Sequence, residues 1–337
     1  MEKLLTVVVP SYNVAQYLPQ TLESFCISKQ YLEKIEILIV DDGSKDDTAK
    51  IGREYERQYP GVYRVISKEN GGHGSTINRG IKEGIGKYFK VVDGDDWVDT
   101  QGFENMVKQL ETCDCDFVIT NYYEVNDQTQ EKTGKSFEVL QKDKSMDLED
   151  VIDKIQIPMH ALTIKTDILK KNSIRLDENC FYVDVEYVLY PIPFAKDVLY
   201  LDEYVYMYRL ALATQSVSMA GYQKHMQNHI DVILNLSEFL SKYMKEDGNE
   251  KRIEYISTRI AQMAHNQVDI FLSFPLGQKS IREKFIEFDR ALKKKNQFVY
   301  DRTGTYSGLL RTLRKFNFIG YYPLMYFSKK KNQNREV

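Results

Sequence analysis

Lys87-Tyr88-Phe89-Lys90-Val91-Val92-Asp93-Gly94-Asp95-Asp96-Trp97-Val98-Asp99 is the stretch on which the reading of the fold turns. Tyr88 to Val92 reads as a buried strand that runs straight into four carboxylates, Asp93, Asp95, Asp96 and Asp99. Carboxylates set so close repel one another, and ionised ones are costly to bury without compensation. A divalent cation is the usual compensation: hard cations take oxygen ligands and often bind one or two protein carboxylates together with the phosphates of a substrate. Gly94 permits a tight turn between Asp93 and Asp95. The competing reading is a solvated acidic turn anchored by Trp97, because an Asp-x-Asp pair is short and common. The neighbouring elements decide between them.

Upstream, Leu4 to Val9 and Ile35 to Val40 are continuous β-branched and aliphatic runs, the pattern of strands buried on both faces of a parallel sheet. Val62 to Ser67 is the third such strand and Tyr88 to Val92 the fourth. Helical spacing predicts helices over Ala15–Ser28, from Asp46 or Asp47 to about Gln58, and over Ser75–Gly84. Strands alternating with helices on short loops predict an open α/β sheet, whose ligands sit at the carboxyl ends of the strands. Four polar clusters lie at such ends: Ser11-Tyr12-Asn13, Asp41-Asp42-Gly43-Ser44, Asn70-Gly71-Gly72-His73-Gly74 and Asp93-Gly94-Asp95-Asp96. Two familiar phosphate loops are missing. Ile77 stands where G-x-G-x-x-G needs its third glycine, and G-x-x-x-x-G-K-[ST] does not occur.

The chain of 337 residues has 42% hydrophobic and 28% charged residues and a formal charge of −3, which fits a soluble globular protein and gives no reason to expect a nucleic-acid partner. Cys26, Cys113, Cys115 and Cys180 form no C-x-x-C pair and read as reduced thiols of a cytoplasmic protein. The amino terminus enters a strand at once, which reads as the absence of a signal peptide, and no apolar run approaches the roughly 20 residues that span a bilayer. Past residue 100 the pattern changes. A helix is expected over Gly102–Glu111, a strand over Phe117–Tyr123, a polar loop or edge hairpin over 126–144, a short helix over Leu148–Ile155 and a strand over Asp197–Arg209. From about Tyr222 to Ala291 the period is helical. The expected division is a catalytic domain over 1–220, with halves at 1–100 and 101–220, and a helical region over 221–337.

Val7-Val8-Val9-Pro10-Ser11-Tyr12-Asn13, Val40-Asp41-Asp42-Gly43-Ser44, Asn70-Gly71-Gly72 and Asp93-Gly94-Asp95-Asp96-Trp97, in this order and spacing, resemble the successive motifs of family 2 glycosyltransferases with the GT-A fold. Met159 to Ser218 resembles bacterial members that build surface polysaccharides. The resemblance implies a mixed, mostly parallel sheet and an inverting transfer of a sugar from a nucleotide-sugar, usually a UDP-sugar, to an acceptor hydroxyl. It implies that Pro10, Tyr12 and Asp42 contact the nucleobase, that Asp41 assists at the base or ribose, and that Asn70 and Gly72 lie near the uridine. Asn13, Ser44 and Asn78 belong to the same donor set. Asp93 then meets ribose or metal, and Asp95 ligates the Mg²⁺ or Mn²⁺ that bridges the two phosphates. The chain departs from the family pattern at Ile77, where an arginine often stands.

The same resemblance places the catalytic base where family members carry a Glu-Asp pair at a helix start. Val183-Asp184-Val185-Glu186 is the matching stretch, so Asp184 is the expected base and Glu186 its competitor, about 200° apart on a helix. Helix capping is the other role open to Asp184. Arg209, Gln215 and Ser216 are candidates to close over the phosphates. Trp97, His160 and Tyr182 are candidates at the acceptor, with core packing the plainer reading for Trp97. The expected partners are a nucleotide-sugar donor and a glycan or lipid-linked acceptor. Residues 303–331, rich in aromatics and in Lys and Arg, read either as a segment lying on the cytoplasmic membrane face or as aromatics packed on the protein with solvated lysines. Two rivals remain: a nucleotidyltransferase that forms sugar nucleotides, and a non-catalytic glycan- or partner-binding module on the same fold.

Overall fold

The computed structural model describes residues 3–211, 218–246 and 248–326. The chain divides into two compact units, Met1–Ala213 and Thr214–Val337, a little before the boundary that the composition suggested.

In the first unit, β1 (Leu5–Ser11) is followed by α1 (Leu18–Ser24) and α2 (Lys29–Leu32), then β2 (Ile35–Asp41), α3 (Thr48–Gln58), β3 (Tyr63–Ser67), α4 (Gly72–Glu83), β4 (Tyr88–Val91) and the short β5 (Trp97–Val98). Next come α5 (Thr100–Leu110), β6 (Phe117–Asn126), β7 (Lys132–Lys135), β8 (Ser145–Asp147), α6 (Leu148–Val151), β9 (Leu162–Lys165), α7 (Thr166–Lys171), α8 (Asp184–Leu189) and β10 (Asp197–Leu210). One sheet runs β3-β2-β1-β4-β9-β6-β10-β5, with β7 on β6 and β8 on β10.

Every residue of β1 and β2 is buried, as expected of central strands covered on both faces. The first four major strands pair parallel, and their register matters for function. Ser11 lies opposite Asp41, Asp41 opposite Ser67, and Val8 opposite Val91. The polar loops that follow these strands therefore emerge along a single edge. Beyond β4 the parallel order ends. β9 pairs antiparallel with both β4 and β6, while β6 and β10 are parallel to each other. "Mostly parallel" holds for the first hundred residues and gives way to a mixed sheet after them.

The helix expected over Ala15–Ser28 is shorter. It stops at Ser24, and Ser28 adopts an extended conformation before α2. Thr21 explains part of the arrangement, because its hydroxyl donates to the carbonyls of Gly94 (3.0 Å) and Asp96 (2.6 Å) and ties α1 to the acidic turn. The segment 126–144 forms the edge hairpin, with β7 antiparallel to β6. Strands β5, β8 and β9 carry no signal strong enough to have been expected. They are two to four residues long and gain their stability from pairing.

In the second unit, α9 (Met219–Lys224), α10 (Met226–Glu246), α11 (Glu250–Ser273), α12 (Lys279–Lys295), α13 (Gln297–Tyr306) and α14 (Gly308–Lys315) pack on an aromatic core. Phe271 stacks on Phe285 at 4.5 Å, and the Tyr321 hydroxyl donates to the Phe271 carbonyl (2.8 Å). Asn249, Asn296 and Ser307 cap α11, α13 and α14 through their side chains. The aromatic tail is amphipathic in place. Leu310, Leu313, Phe318, Tyr321 and Met325 are buried, whereas Phe316, Ile319 and Tyr326 are exposed. No helix among the described residues is long and apolar enough to cross a membrane.

Candidate active site

The strand-end loops enclose a cleft of about 360 Å³ lined by Pro10, Ser11, Tyr12, Asp42, Asn70, Gly72, His73 and Thr76, with Asn179, Cys180 and Phe181 on the facing side. Asp42 is its most constrained member. The carboxylate is buried and accepts from Lys68 Nζ (2.5 Å), the Gly71 amide (2.9 Å) and the Gly72 amide (2.8 Å). Asn70 Nδ2 donates to the Asp42 carbonyl at 3.0 Å, so the loop after β3 folds around the loop after β2. Two glycines make room for the facing segment. Gly72 has φ +80°, and a Cβ on Gly74 would fall 2.1 Å from the Asp177 carbonyl oxygen. The Asn179 amide closes the contact by donating to the Gly71 carbonyl at 2.5 Å.

Asp41, Asn13 and Ser44 stand behind the cleft. Ser44 donates its amide to Asp41 Oδ1 (3.0 Å) and accepts from the Asn13 amide (3.0 Å), while Asn13 Oδ1 accepts from the Lys45 amide (2.8 Å). These bonds lock two loops together and allow Asn13 its positive φ of 54°. Asn78 points elsewhere: its amide clasps the Leu176 backbone, accepting at 2.9 Å and donating at 2.9 Å, and reaches Glu178.

The acidic turn lies at the same edge. His73 Nε2 meets Asp93 Oδ1 at 2.7 Å. Burial pushes against this pair's charges, but each partner stabilises the other's charged form, so the imidazole is raised and the Asp93 carboxyl lowered from their ordinary values. Burial, then the charge of Asp93, raises the Asp95 carboxyl to about 6. Asp96 turns inward. It is buried, accepts from the Tyr206 hydroxyl (2.6 Å) and the Arg209 amide (2.7 Å), and is raised well above the ordinary range by burial and by Asp95.

Arg209 is a buried strut. Its guanidinium donates to the Asp95 carbonyl (2.7 Å), Asp127 (2.5 Å) and Gln20 (2.7 Å) and lies 4.5 Å from the Trp97 ring and 4.9 Å from Tyr17. Trp97 is thus packed beneath this cation. His160 stacks on Tyr208 at 4.1 Å, and burial, reinforced by Lys90, lowers its imidazole to about 4. Lys90, which is fully buried, donates to the His160 carbonyl at 2.9 Å.

The two candidate bases separate cleanly. Asp184 is the first residue of α8 and is exposed, while Val183 occupies the cap position. The charge of Asp184 is felt at both His73 and Tyr208, which sets it near the acidic turn. Glu186 is wholly buried, accepts from the Asp177 amide (2.8 Å) and the Tyr190 hydroxyl (3.3 Å), and is raised by burial to about 8. Tyr182, just before α8, is half-buried with φ 68°. Gln215 and Ser216 lie outside the described residues. Among the described residues no three His, Cys, Asp or Glu side chains converge on one point as a metal cage.

Residues 6–170 match the family described as glycosyl transferase family 2. The chain carries a family 2 glycosyltransferase domain. Glycosyltransferase GlyG of Streptococcus pneumoniae is 41% identical over 124 residues, 36% of this chain and 40% of GlyG. Bacillus subtilis EpsJ, named as an uncharacterised glycosyltransferase, is 26% identical over 68% of this chain and 67% of its own length. The minor teichoic acid biosynthesis protein GgaB of Bacillus subtilis is 28% identical over 71% of this chain but only 28% of GgaB. The chain thus spans well under half of GlyG and GgaB. Among solved structures, S. aureus TarS in complex with UDP-GlcNAc superposes with a TM-score of 0.65 at 17% identity, covering 98% of this chain and 92% of that one. The mannosyltransferase PcManGT from Pyrobaculum calidifontis, in complex with GDP-Man and Mn²⁺, gives 0.52 at 14% identity, over 88% of each chain. These likenesses show the GT-A-like fold.

The site contains residues that motif reading passed over. Asn179, Cys180 and Phe181 wall the cleft from a segment some hundred residues away, and the close packing at Gly74 is its only local trace. His73 belongs to the polar cluster after β3, but its pairing with Asp93 needs the loops after β3 and β4 side by side.

Proposed function

We propose that the protein is a metal-dependent, inverting glycosyltransferase that moves a sugar from a UDP-sugar to a hydroxyl of a glycan or lipid-linked acceptor in surface-polysaccharide synthesis. One observation carries this reading: a carboxylate held by two backbone amides and a lysine lines a cleft whose His73 pairs with Asp93 of the acidic turn. A base-recognition group and a phosphate-and-metal group thus stand along one edge. The names of GgaB and of the TarS complex agree with a teichoic-acid-like setting and a uridine donor.

The residues present fit a divalent cation. Asp95 is raised by burial and then by the charge of Asp93, and the two carboxylates offer hard oxygen donors. Asp93 and Asp95 would hold such a cation. When bound, such a Mg²⁺ or Mn²⁺ supplies Lewis-acid stabilisation of the departing diphosphate. Asp42 accepts from the nucleobase, with Tyr12 and Pro10 at the cleft's mouth. Asp184 takes the acceptor's hydroxyl proton as the oxygen attacks the anomeric carbon on the face opposite the diphosphate, which inverts the configuration. Its exposure favours this role over Glu186, whose carboxyl is consumed by the backbone of Asp177. Arg209 acts through position: it braces the Asp95–Asp96 turn from within the protein.

Incubation with a panel of nucleotide sugars, Mn²⁺ and a polyol or glycan acceptor should release UDP. Pyrophosphate made from UTP and a sugar phosphate, with no UDP release, would instead identify a nucleotidyltransferase. UDP binding without turnover of any acceptor would leave a binding module. Work on a lipid-linked acceptor places the enzyme in the cytoplasm against the membrane face, and the exposed Phe316 and Ile319 beside Arg311 and Lys315 suit that contact. Flotation with anionic vesicles at low salt should carry the protein upward, and a Phe316→Ser, Ile319→Ser variant should stay at the bottom. Equal behaviour of the two leaves the packed-tail reading.

A further inference from the structure

Helix α4 has two working faces. Gly72, His73 and Thr76 look into the nucleotide cleft. Ser75, Asn78, Arg79 and Lys82, spaced at three, four and seven residues, look the other way. There they form one wall of a second cavity, of about 530 Å³, closed by Lys170, Ser173, Ile174 and Arg175 from the end of α7 and the loop after it. This cavity plays no part in the donor and acceptor roles assigned above.

Its lining is strongly basic. Lys68, Arg79, Lys82, Lys170 and Arg175 face it, with Glu178 the single carboxylate in the wall. Two further carboxylates touch these cations from outside: Asp42 on Lys68 and Glu83 on Arg79. Five cations therefore meet three carboxylates, and Glu83 is shared with Arg64 as well. The Lys170 ammonium is anchored on a neutral partner, the Gly84 carbonyl at 2.6 Å, which leaves its charge uncompensated there. Lys82 is exposed. Like charges gathered around a concave, water-filled space raise the local concentration of anions. Two guanidiniums and three ammoniums supply the forked and point-like donors that phosphoryl oxygens take.

We propose that this cavity is a binding site for a phosphoryl anion, separate from the donor cleft and coupled to it through Lys68. The ammonium of Lys68 sits between the two spaces. It donates to Asp42 Oδ1 at 2.5 Å and to Ser75 Oγ at 2.8 Å, and Lys68 itself lines the basic cavity. An anion in the cavity draws on the same ammonium that steadies the carboxylate of the base cleft. Occupancy of one site is thereby felt at the other, and the coupling is reciprocal. The occupant is either a free phosphate species or one unit of a phosphodiester polymer. Binding itself does not rest on the glycosyltransferase reading, whereas the coupling rests on Asp42 facing the nucleobase.

Calorimetry on the full chain with inorganic tripolyphosphate and with a short polyol-phosphate oligomer tests the binding. Both probes should bind, and their affinity should fall as salt rises. The Lys170→Gln, Arg175→Gln variant, shown by circular dichroism to be folded, should bind each about tenfold or more weakly. The single variant Lys82→Gln, at an exposed position, should weaken binding in the same direction. A tighter oligomer than tripolyphosphate marks a polymer site, and the reverse order marks a site for the free anion. Equal binding by wild type and the double variant overturns the proposal, as does no binding to wild type. Uridine, which carries no phosphate of its own, reports the coupling. Its affinity should shift when the cavity is filled in wild type but not in the double variant. Loss of uridine binding altogether would refute the base-cleft reading and leave the anion site to be judged by the first measurement.

Discussion

The strand-end cleft and the helical unit both bury charged and polar groups, and they use them in opposite ways. Around the cleft, buried or half-buried carboxylates keep one side open: Asp42 is gripped by Gly71, Gly72 and Lys68 yet lines the cavity, and Asp95 stays half-exposed beside Asp93. In the helical unit the buried Asp289 carboxylate is met from within the unit. Arg314 donates to Asp289 at 2.8 Å and to the Tyr300 carbonyl at 2.7 Å. A group fully satisfied from within stabilises a fold and has nothing left for a ligand. A group satisfied from one side remains available for chemistry, and Asp95 is such a group, its carboxyl raised to about 6 by burial and by Asp93.

Substitutions can break that contrast, and the largest effect belongs to Asp95. Asp95→Ala should abolish the Mn²⁺ dependence of UDP binding and lower turnover by about 10³-fold or more. Calorimetry of UDP with and without Mn²⁺ is the measurement, and an unchanged metal dependence would remove Asp95 from the metal site. Asp184→Asn comes next, with turnover down by about 10²–10⁴-fold and UDP affinity nearly intact. A dead Glu186→Gln beside an active Asp184→Asn would exchange their roles.

In the helical unit, Asp289→Ala leaves the Arg314 guanidinium buried without its carboxylate and should cost about 3–5 kcal/mol of stability. Denaturant unfolding reads that loss, and UDP affinity should not move. If it does, the two regions are not functionally distinct. Asp42→Asn should weaken UDP binding by about tenfold to a hundredfold, since an amide replaces an acceptor held by three donors.

The smallest effect sharpens the comparison from inside the first unit. Glu186 is raised to about 8 when folded and titrates near 4.3 when unfolded. Between those values the native state holds a proton that the unfolded state has lost. Its contribution is therefore full below about pH 4 and declines as pH rises toward about 8. Glu186→Gln, which resembles the protonated acid, should flatten this part of the stability profile. Urea midpoints measured across pH 5–9 would show it, and an unaltered slope would mean that Glu186 is ionised in the folded protein.

The sequence by itself determined the alternation of buried strands and helices, the placing of four polar clusters at strand ends, and the helical period of the second unit. These are local signals. A continuous apolar run or a three-to-four spacing is written in neighbouring residues, and the sheet register then delivers Ser11, Asp41 and Ser67 to one edge. Only the tertiary structure decided that Asp184 faces outward while Glu186 is spent on the Asp177 amide, since the 200° between them says only that they differ. It also decided that Arg209 braces the acidic turn through Asp127 and Gln20, that His73 pairs with Asp93, and that residues 179–181 wall the cleft. The Arg209 and His73 contacts join residues 20 to 189 positions apart. Whether such groups face a cavity or each other depends on which distant backbone arrives to satisfy them, and burial, not spacing, settles that.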